Sequence, residues 1–371
     1  MENCRPITKK SCSISSSRFR GCSNWTRSSC FWCFGLEKRK QPESESITQN
    51  KATKFRILVY FKSRMFKVNQ KERDWLSSFQ NKSLKVEDFI ILSSDKNVEQ
   101  VVQQIKEAGA ILIGAGAGMG VDSGLPDFRG KAGFWQAYPP LAKMGLRFEE
   151  MANPRWFHEN PELAWGFYGH RHALYLKTEP HKGYKILKNW GHKLKIPSFI
   201  FTSNVDGHFN RAGWSEQVLE CHGSLMRLQC LEGCGQPIWE PMDRGIPLVN
   251  VCPDSLLCKS SLPTCPSCGS LARPNILMSS DFYWDSSINL KQERTLNSWF
   301  DINASKNLLI IELGAGTSVP TVRFFCERSM KEYGCNMVRI NPRDYQLPMG
   351  ATALACGALE ALQLLDLELG K

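Results

Sequence analysis

The stretch Ile111-Leu-Ile-Gly-Ala-Gly-Ala-Gly-Met-Gly-Val-Asp-Ser-Gly-Leu-Pro-Asp-Phe-Arg-Gly130 decides the fold class. An apolar run of strand length passes into a turn carrying Gly114, Gly116, Gly118 and Gly120, where backbone N–H groups can approach a pyrophosphate that any side chain would obstruct. The spacing departs from G-x-G-x-x-G, so the glycines alone also fit a plain tight turn. Pro126-Asp127-Phe128-Arg129 shifts the balance toward a dinucleotide site, because it sets an anion, an aromatic face and a cation behind a rigid start.

Working outward, Val98, Val101, Val102 and Ile105 mark one face of a helix beginning near Asn97, with Gly109 placed to end it. Ala110 to Ile113 then reads as a buried strand. Further apolar runs at Ser198 to Thr202, Asn275 to Met278, Asn307 to Glu312 and Asn336 to Ile340 read as strands separated by helical segments. Pro320 suits a helix first turn and Gly334 its end. Such alternation predicts an α/β fold with a doubly wound parallel sheet and ligands at the strand ends. No internal repeat is present.

The chain has 371 residues, a 42% hydrophobic share and a formal net charge of +11. Residues 1–95 hold 19 Lys and Arg against nine acids, whereas the remainder is nearly neutral, at 28 against 27. A neutral core argues against a built-in nucleic-acid face; a basic leader is able to touch acidic surfaces or carry an address. The leader is rich in Ser, Cys, Lys and Arg without periodicity, which predicts disorder over about residues 1–94 and also resembles an organellar transit peptide. Ile57 to Phe61 is a short apolar run within it, and Cys30-Phe-Trp-Cys33 has half a metal knuckle's spacing with no second pair nearby. No apolar run reaches 18 residues, so no membrane span is expected.

Fifteen cysteines in a chain with a sizeable core fit an intracellular protein holding metal better than a disulfide scaffold. Cys230-x3-Cys234 and Cys265-x2-Cys268 stand 30 residues apart and can supply four thiolates to one tetrahedral zinc ion with no open position, a structural site. Gly233, Gly235 and Gly269 permit the turns that aim the sulfurs. Cys252 and Cys258, less well spaced, are backup ligands or free thiols.

Gly116-Ala117-Gly118 followed by Gly124-Leu-Pro-Asp-Phe-Arg129 resembles the cofactor loop of the sirtuins, NAD-consuming protein deacylases. The resemblance runs in order through Thr202-Ser203-Asn204-Val205-Asp206, Cys221-His222-Gly223, the paired cysteines, Arg273-Pro274, Gly314-Ala-Gly-Thr-Ser-Val-Pro320 and Ile340-Asn341-Pro342, covering roughly residues 95–365. It implies an NAD-binding domain with a zinc-ribbon insert at about 221–280 in a catalytic core spanning 95–371. It implies that Gly116, Ala117, Gly118, Asp127, Phe128, Arg129, Ser203, Asn204, Asp206, Gly314, Gly316, Thr317, Ser318 and Asn341 contact NAD. Asn204 and Asp206 would line the ribose and nicotinamide pocket, and His222 would be the general base, a role for which histidine has the pKa. The partners implied are acyl-lysine proteins, and a cytoplasmic, nuclear or mitochondrial setting is compatible with this.

Each element has a plainer reading beside it. Asp206 is also suited to cap a helix starting at Gly207, Thr317 or Ser318 to cap the helix after the second glycine loop, and Phe134 and Trp135 to serve the core or to close over the cofactor. Three positions depart from the family pattern. Ser203 replaces an amide that contacts the ribose, Gly120 replaces a serine, and Ser279-Ser280-Asp281 replaces the Phe-Gly-Glu that borders the acyl-lysine tunnel and pairs with substrate backbone. Cleavage of NAD with transfer of ADP-ribose to water or protein, or a non-catalytic NAD sensor, are the rival readings; His222 and Asn204 speak against the sensor.

Overall fold

The computed structural model describes residues 95–371 apart from 127–133, 136 and 242–244. The leader with Cys30, Cys33 and Ile57 to Phe61, and the cofactor-loop residues Asp127, Phe128 and Arg129, lie outside the described residues.

The first helix, α1 (Asp95–Glu107), lays Val98, Val101, Val102 and Ile105 on the core as their spacing predicts. Gly109 follows it for a different reason from the one expected. It is not left-handed; a Cβ there would stand 1.7 Å from the Lys306 carbonyl oxygen, so the missing side chain serves the approach of two chain segments, fixed by Gly109 N–H donating to Asn307 O at 3.1 Å.

Strand β1 (Ala110–Ala115) is buried at every position. It pairs in parallel with β2 (Ser198–Thr202) on one side and, further along the chain, with β6 (Leu308–Leu313) on the other. The apolar run is continuous because both faces are covered. Ile111, Ile113 and Ala115 face one core with α1, α4 (Lys182–Lys193) and α7 (Ala358–Leu369), while Ala110 and Leu112 face another with α5 (Ser287–Asn303) and α6 (Thr321–Tyr333).

Among the described residues six strands form this sheet, in the order β3 (Val218–Glu220), β2, β1, β6, β7 (Asn336–Ile340), β8 (Thr352–Leu354), all parallel. With β4 (Gly223–Cys230) and β5 (Ala272–Ile276) set aside this is the doubly wound order, whose direction reverses between β1 and β6, the place at the strands' carboxyl ends where such sheets take their ligands. β7 (Asn336–Ile340) matches its sequence reading; β3 (Val218–Glu220) and β8 (Thr352–Leu354) are three residues each, too short for their periodicity to register. Gly334 closes α6 in the left-handed conformation at φ 59°, as expected of a glycine stop.

The strand expected at Asn275 to Met278 belongs elsewhere. β5 (Ala272–Ile276) pairs antiparallel with β4 (Gly223–Cys230) in a separate two-stranded sheet. That ribbon shares its core with α3 (Pro161–Lys177), where Leu225, Leu228, Ile276 and Met278 meet Trp165, Phe167 and Tyr168. Asn160 caps α3 by accepting from Leu163 N at 3.0 Å. Phe134 is 2% exposed within this core, and Trp135 packs against it while donating to Leu146 O, so both serve packing. Among the described residues no helix is long and apolar enough to cross a membrane.

Glu312 on β6 lies directly opposite Arg339 on β7, both almost wholly buried, and the guanidinium grips the carboxylate at 2.6 and 2.9 Å. Replacing Arg339 alone by Met should cost about 3–5 kcal/mol because it strands a buried carboxylate. The double variant Arg339→Met, Glu312→Leu should lose far less, a difference that urea denaturation of the two proteins will measure.

Candidate active site

Two glycine loops meet at the switch point. The first leaves β1 and the second leaves β6, and they are laced by Gly116 N–H to Leu313 O at 2.9 Å and Gly118 N–H to Gly314 O at 3.0 Å. A Cβ on Gly118 would stand 2.7 Å from Gly314 Cα. Gly314 is itself left-handed at φ 58°, and a Cβ on it would meet Met119 N at 2.5 Å. The glycines are therefore required by the contact of one loop with the other before any ligand is considered. At Gly316 a Cβ would meet Asp344 Oδ2 at 3.8 Å, an ordinary contact with the loop after β7, so no backbone approach requires this glycine.

The polar residues after β2 fasten onto this pair. Thr202 Oγ1 donates to Ala115 O at 2.9 Å and accepts from Asn204 N; Ser203, buried, donates its N–H to Ala115 O at 3.3 Å. Asn204 Nδ2 donates to Gly116 O at 2.9 Å, tying its amide to the first loop. Asp206 Oδ1 accepts from His208 N at 2.9 Å, a turn across two residues ahead of the short helix His208–Arg211; the N-cap is Gly207 and carries no side-chain cap, so Asp206 is not the helix cap that the sequence suggests. A Cβ on Gly120 would lie 3.5 Å from Asp206 Oδ2, which brings that carboxylate to the first loop as well.

Asn341, at the end of β7, donates Nδ2 to Ala315 O at 3.0 Å. Thr317 and Ser318 are exposed; the residue at the α6 N-cap is Pro320, with no side-chain cap, so neither hydroxyl serves as the helix cap. His222 occupies a tight turn between β3 and β4 and not a strand. Its Nε2 lies 3.4 Å from Thr321 Oγ1, the first residue of α6 after the second loop, and its carbonyl accepts from Leu277 N at 3.0 Å. The structure thus gathers Gly116, Ala117, Gly118, Ser203, Asn204, Asp206, Gly314, Gly316 and Asn341 around one crevice, with His222 joined to it through Thr321.

Residues that sequence reasoning missed support this rim. His181 Nδ1 accepts from Gly183 N at 3.0 Å, so Nε2 carries the proton donated to Met119 O at 3.0 Å, while His181 N–H reaches Ser123 Oγ. Burial lowers the His181 pKa, which keeps the ring neutral and this tautomer in place near pH 7. Asp122 accepts from Leu359 N at 2.8 Å, capping α7 from 237 residues away. No local signal marks either contact, since each joins residues far apart in sequence.

The segment after β5 differs from its expected role. Asp281 is not presented outward: Arg273 grips it with both Nη atoms, and it also accepts from Met278 N. Ser279 and Ser280 are exposed, Ser280 at φ 55°. Met278 is buried in the α3 core, whereas Phe282 and Tyr283 are 88% and 83% exposed, so these aromatics do not refill the place of the missing phenylalanine.

Cys230, Cys234, Cys265 and Cys268 bring their sulfurs within 4.8 Å of one another, with the pairs 230/268 and 234/265 at 3.6 Å. Four 2.3 Å zinc–sulfur bonds in a tetrahedron place sulfurs about 3.8 Å apart, so the set fits zinc. Gly233, Gly235 and Gly269 are left-handed, as the turns require. Cys252 and Cys258 stand outside the cluster, and Cys258 Sγ turns to Ser260 O.

The sequence pattern of the Sir2 family matches residues 116–318. An NAD-dependent protein deacylase of Aquifex aeolicus is 30% identical over 230 residues, 62% of this chain and 82% of that protein. One of Daphnia pulex is 32% identical over 223 residues, 57% of this chain and 77% of that protein. The solved structure of a Sir2 homologue in complex with NAD superposes with a TM-score of 0.55 at 26% identity, covering 73% of this chain and 93% of that one.

Two outcomes follow from the geometry. Purified protein should carry about one zinc per chain by metal analysis, and serine at any of the four cysteines should abolish it. Gly118→Ala should push the two loops apart and lower both the melting temperature and the affinity for NAD, since the added methyl meets backbone and not a flexible side chain.

Proposed function

We propose that this chain, which belongs to the Sir2 family, is an NAD-dependent protein-lysine deacylase that releases nicotinamide and passes the acyl group to ADP-ribose. The catalytic unit is residues 95–371, with the ribbon of about 221–280 inserted into it and the basic leader of 1–94 ahead of it.

The observation that carries the reading is the placement of His222. Its Nε2 stands beside Thr321, which directly follows the second glycine loop. A base, a pyrophosphate cradle and an anchored amide would thus share one rim, which supports the reading. Bound NAD would supply an activated glycosidic bond and an ADP-ribose acceptor. Gly116, Ala117 and Gly118 with Gly314, Gly316, Thr317 and Ser318 would hold its phosphates and ribose, and Asp127, Phe128 and Arg129 would complete that wall. Asn204, its Nδ2 fixed on Gly116 O, would present its amide carbonyl in one orientation. Asp206 would place negative charge where the ribose becomes positive as its bond to nicotinamide weakens.

A neutral His222 with its proton on Nδ1 would offer the Nε2 lone pair to a ribose hydroxyl. Thr321 Oγ1, within reach of the same nitrogen, would hold the ring's direction until substrate arrives. Zinc on the four cysteines would act by holding the ribbon together.

A second reading has one specific support. The serines at 279 and 280 and the internally held Asp281 leave the expected acyl-lysine wall without an aromatic. Water would then compete as the acceptor, giving an NAD glycohydrolase. Nicotinamide release from NAD with and without acetyl-lysine peptide separates the two: strict peptide dependence is expected, and peptide-independent release establishes the hydrolase. In the same assay His222→Ala should lower acyl-dependent turnover by about 10² to 10⁴ while calorimetry finds NAD binding largely intact. A near-normal rate in that variant would assign the base elsewhere.

A further inference from the structure

Beneath the second glycine loop lie two buried guanidiniums, the buried carboxylate of Glu312 and the half-buried one of Glu327, to which the reaction assigns no part. Arg323, on the first turn of α6, is 7% exposed. Its Nη2 donates to Ala315 O, inside the glycine loop, at 3.1 Å and also to Asp344 O; its Nη1 reaches Gln346 O at 3.4 Å. Arg339 donates to the same Gln346 carbonyl and is neutralised by Glu312 and by Glu327 at 2.7 Å. The loop after β7 is thereby tied at both ends, by Asn341 Oδ1 accepting from the N–H groups of 343 and 344, and by the two arginines on the carbonyls of 344 and 346.

We propose that Arg323 is a positioning residue for NAD: one guanidinium fixes the spacing between the Gly314–Ser318 loop and the 343–346 loop, presetting the second wall of the cofactor cleft. The assignment rests on the NAD-dependent activity proposed above. Three features carry it. Ala315 O receives two donors, Asn341 Nδ2 and Arg323 Nη2, so the direction of the loop backbone is over-determined. The two loops face each other closely, since a Cβ on Gly316 would come within 3.8 Å of Asp344 Oδ2. Arg323 lies two residues from Thr321, so the helix that sets this spacing also presents the hydroxyl beside His222.

A loop pair held in its binding geometry spares the ligand the cost of ordering it. Removing Arg323 takes one charged donor from each of three carbonyls, of which Gln346 O keeps Arg339 and Ala315 O keeps Asn341, a loss felt in ground state and transition state alike. Such a uniform loss raises KM and spares kcat.

The test compares Arg323→Ala, Arg323→Lys and, as a control on the same helix, the half-exposed Arg328→Ala. The readouts are NAD KM, peptide KM, kcat and the ADP-ribose Kd by calorimetry. Arg323→Ala should raise the NAD KM and the ADP-ribose Kd about tenfold or more. Its kcat at saturating NAD should stay within about threefold and its peptide KM should not move. Lysine should restore part of the affinity, and Arg328→Ala should match wild type. If Arg323→Ala does not fold, Arg323→Lys decides, with the same split expected at smaller amplitude. Unchanged NAD and ADP-ribose affinity in a folded variant overturns the proposal. So does a joint fall in kcat, peptide affinity and melting temperature that lysine fails to relieve. A wild-type chain that binds no NAD overturns this proposal and the deacylase reading together, whereas wild-type binding with indistinguishable Arg323 variants overturns this one alone.

Discussion

The contact between the loops after β1 and β6 is the constraint on which the rest of the structure depends. Gly118 and Gly314 approach so closely that neither tolerates a side chain, and two backbone hydrogen bonds hold the loops in register. Such an approach is possible only if β1 and β6 are neighbours, which the reversal of strand order secures. Several polar side chains at the rim are then fastened to this seam: Asn204 to Gly116 O, Asn341 and Arg323 to Ala315 O, and His181 to Met119 O.

These attachments also account for how charge is tolerated in the interior. Glu312 and Arg339 sit on adjacent strands, Arg273 and Asp281 close one loop, and Glu220 at the end of β3 meets Arg227 at 2.7 Å. In each of these pairs a charge faces its opposite, and the carboxylates accept further hydrogen bonds or ion pairs, which helps to offset desolvation. Two of these pairs fix loops, Arg339 through Gln346 O and Asp281 through Met278 N.

Much of this was legible in the sequence wherever a pattern is local and repeats. The buried strands at 110, 198, 308 and 336, the stop at Gly334 and the convergence of the four cysteines could all be read, because burial on two faces, a left-handed cap and knuckle spacing leave marks within a few residues. What escaped was non-local. β3 and β8 are too short to show a period, and β5 carries a strand's composition without disclosing which sheet receives it. His222 could be singled out from its neighbours, yet its contact with Thr321 spans 99 residues, and Asp122 capping α7 spans 237. Arg323 and Arg339 resemble ordinary basic residues until the fold closes over them.

The central pairing of the sheet joins Ala110 to Leu308 and Ala115 to Leu313, partners nearly two hundred positions apart. On a ribosome adding about 5–20 residues per second, β1 waits roughly 10–40 s before the strand that covers its second edge emerges. Throughout that interval an apolar, unpaired edge is open to other chains. The helices of α3 and the ribbon emerge within the same window and share a core of their own, so they are able to condense first and keep the nascent chain compact. The seam of the two glycine loops, by contrast, exists only once β6 arrives, so a product truncated before it lacks that seam even where the ribbon has folded.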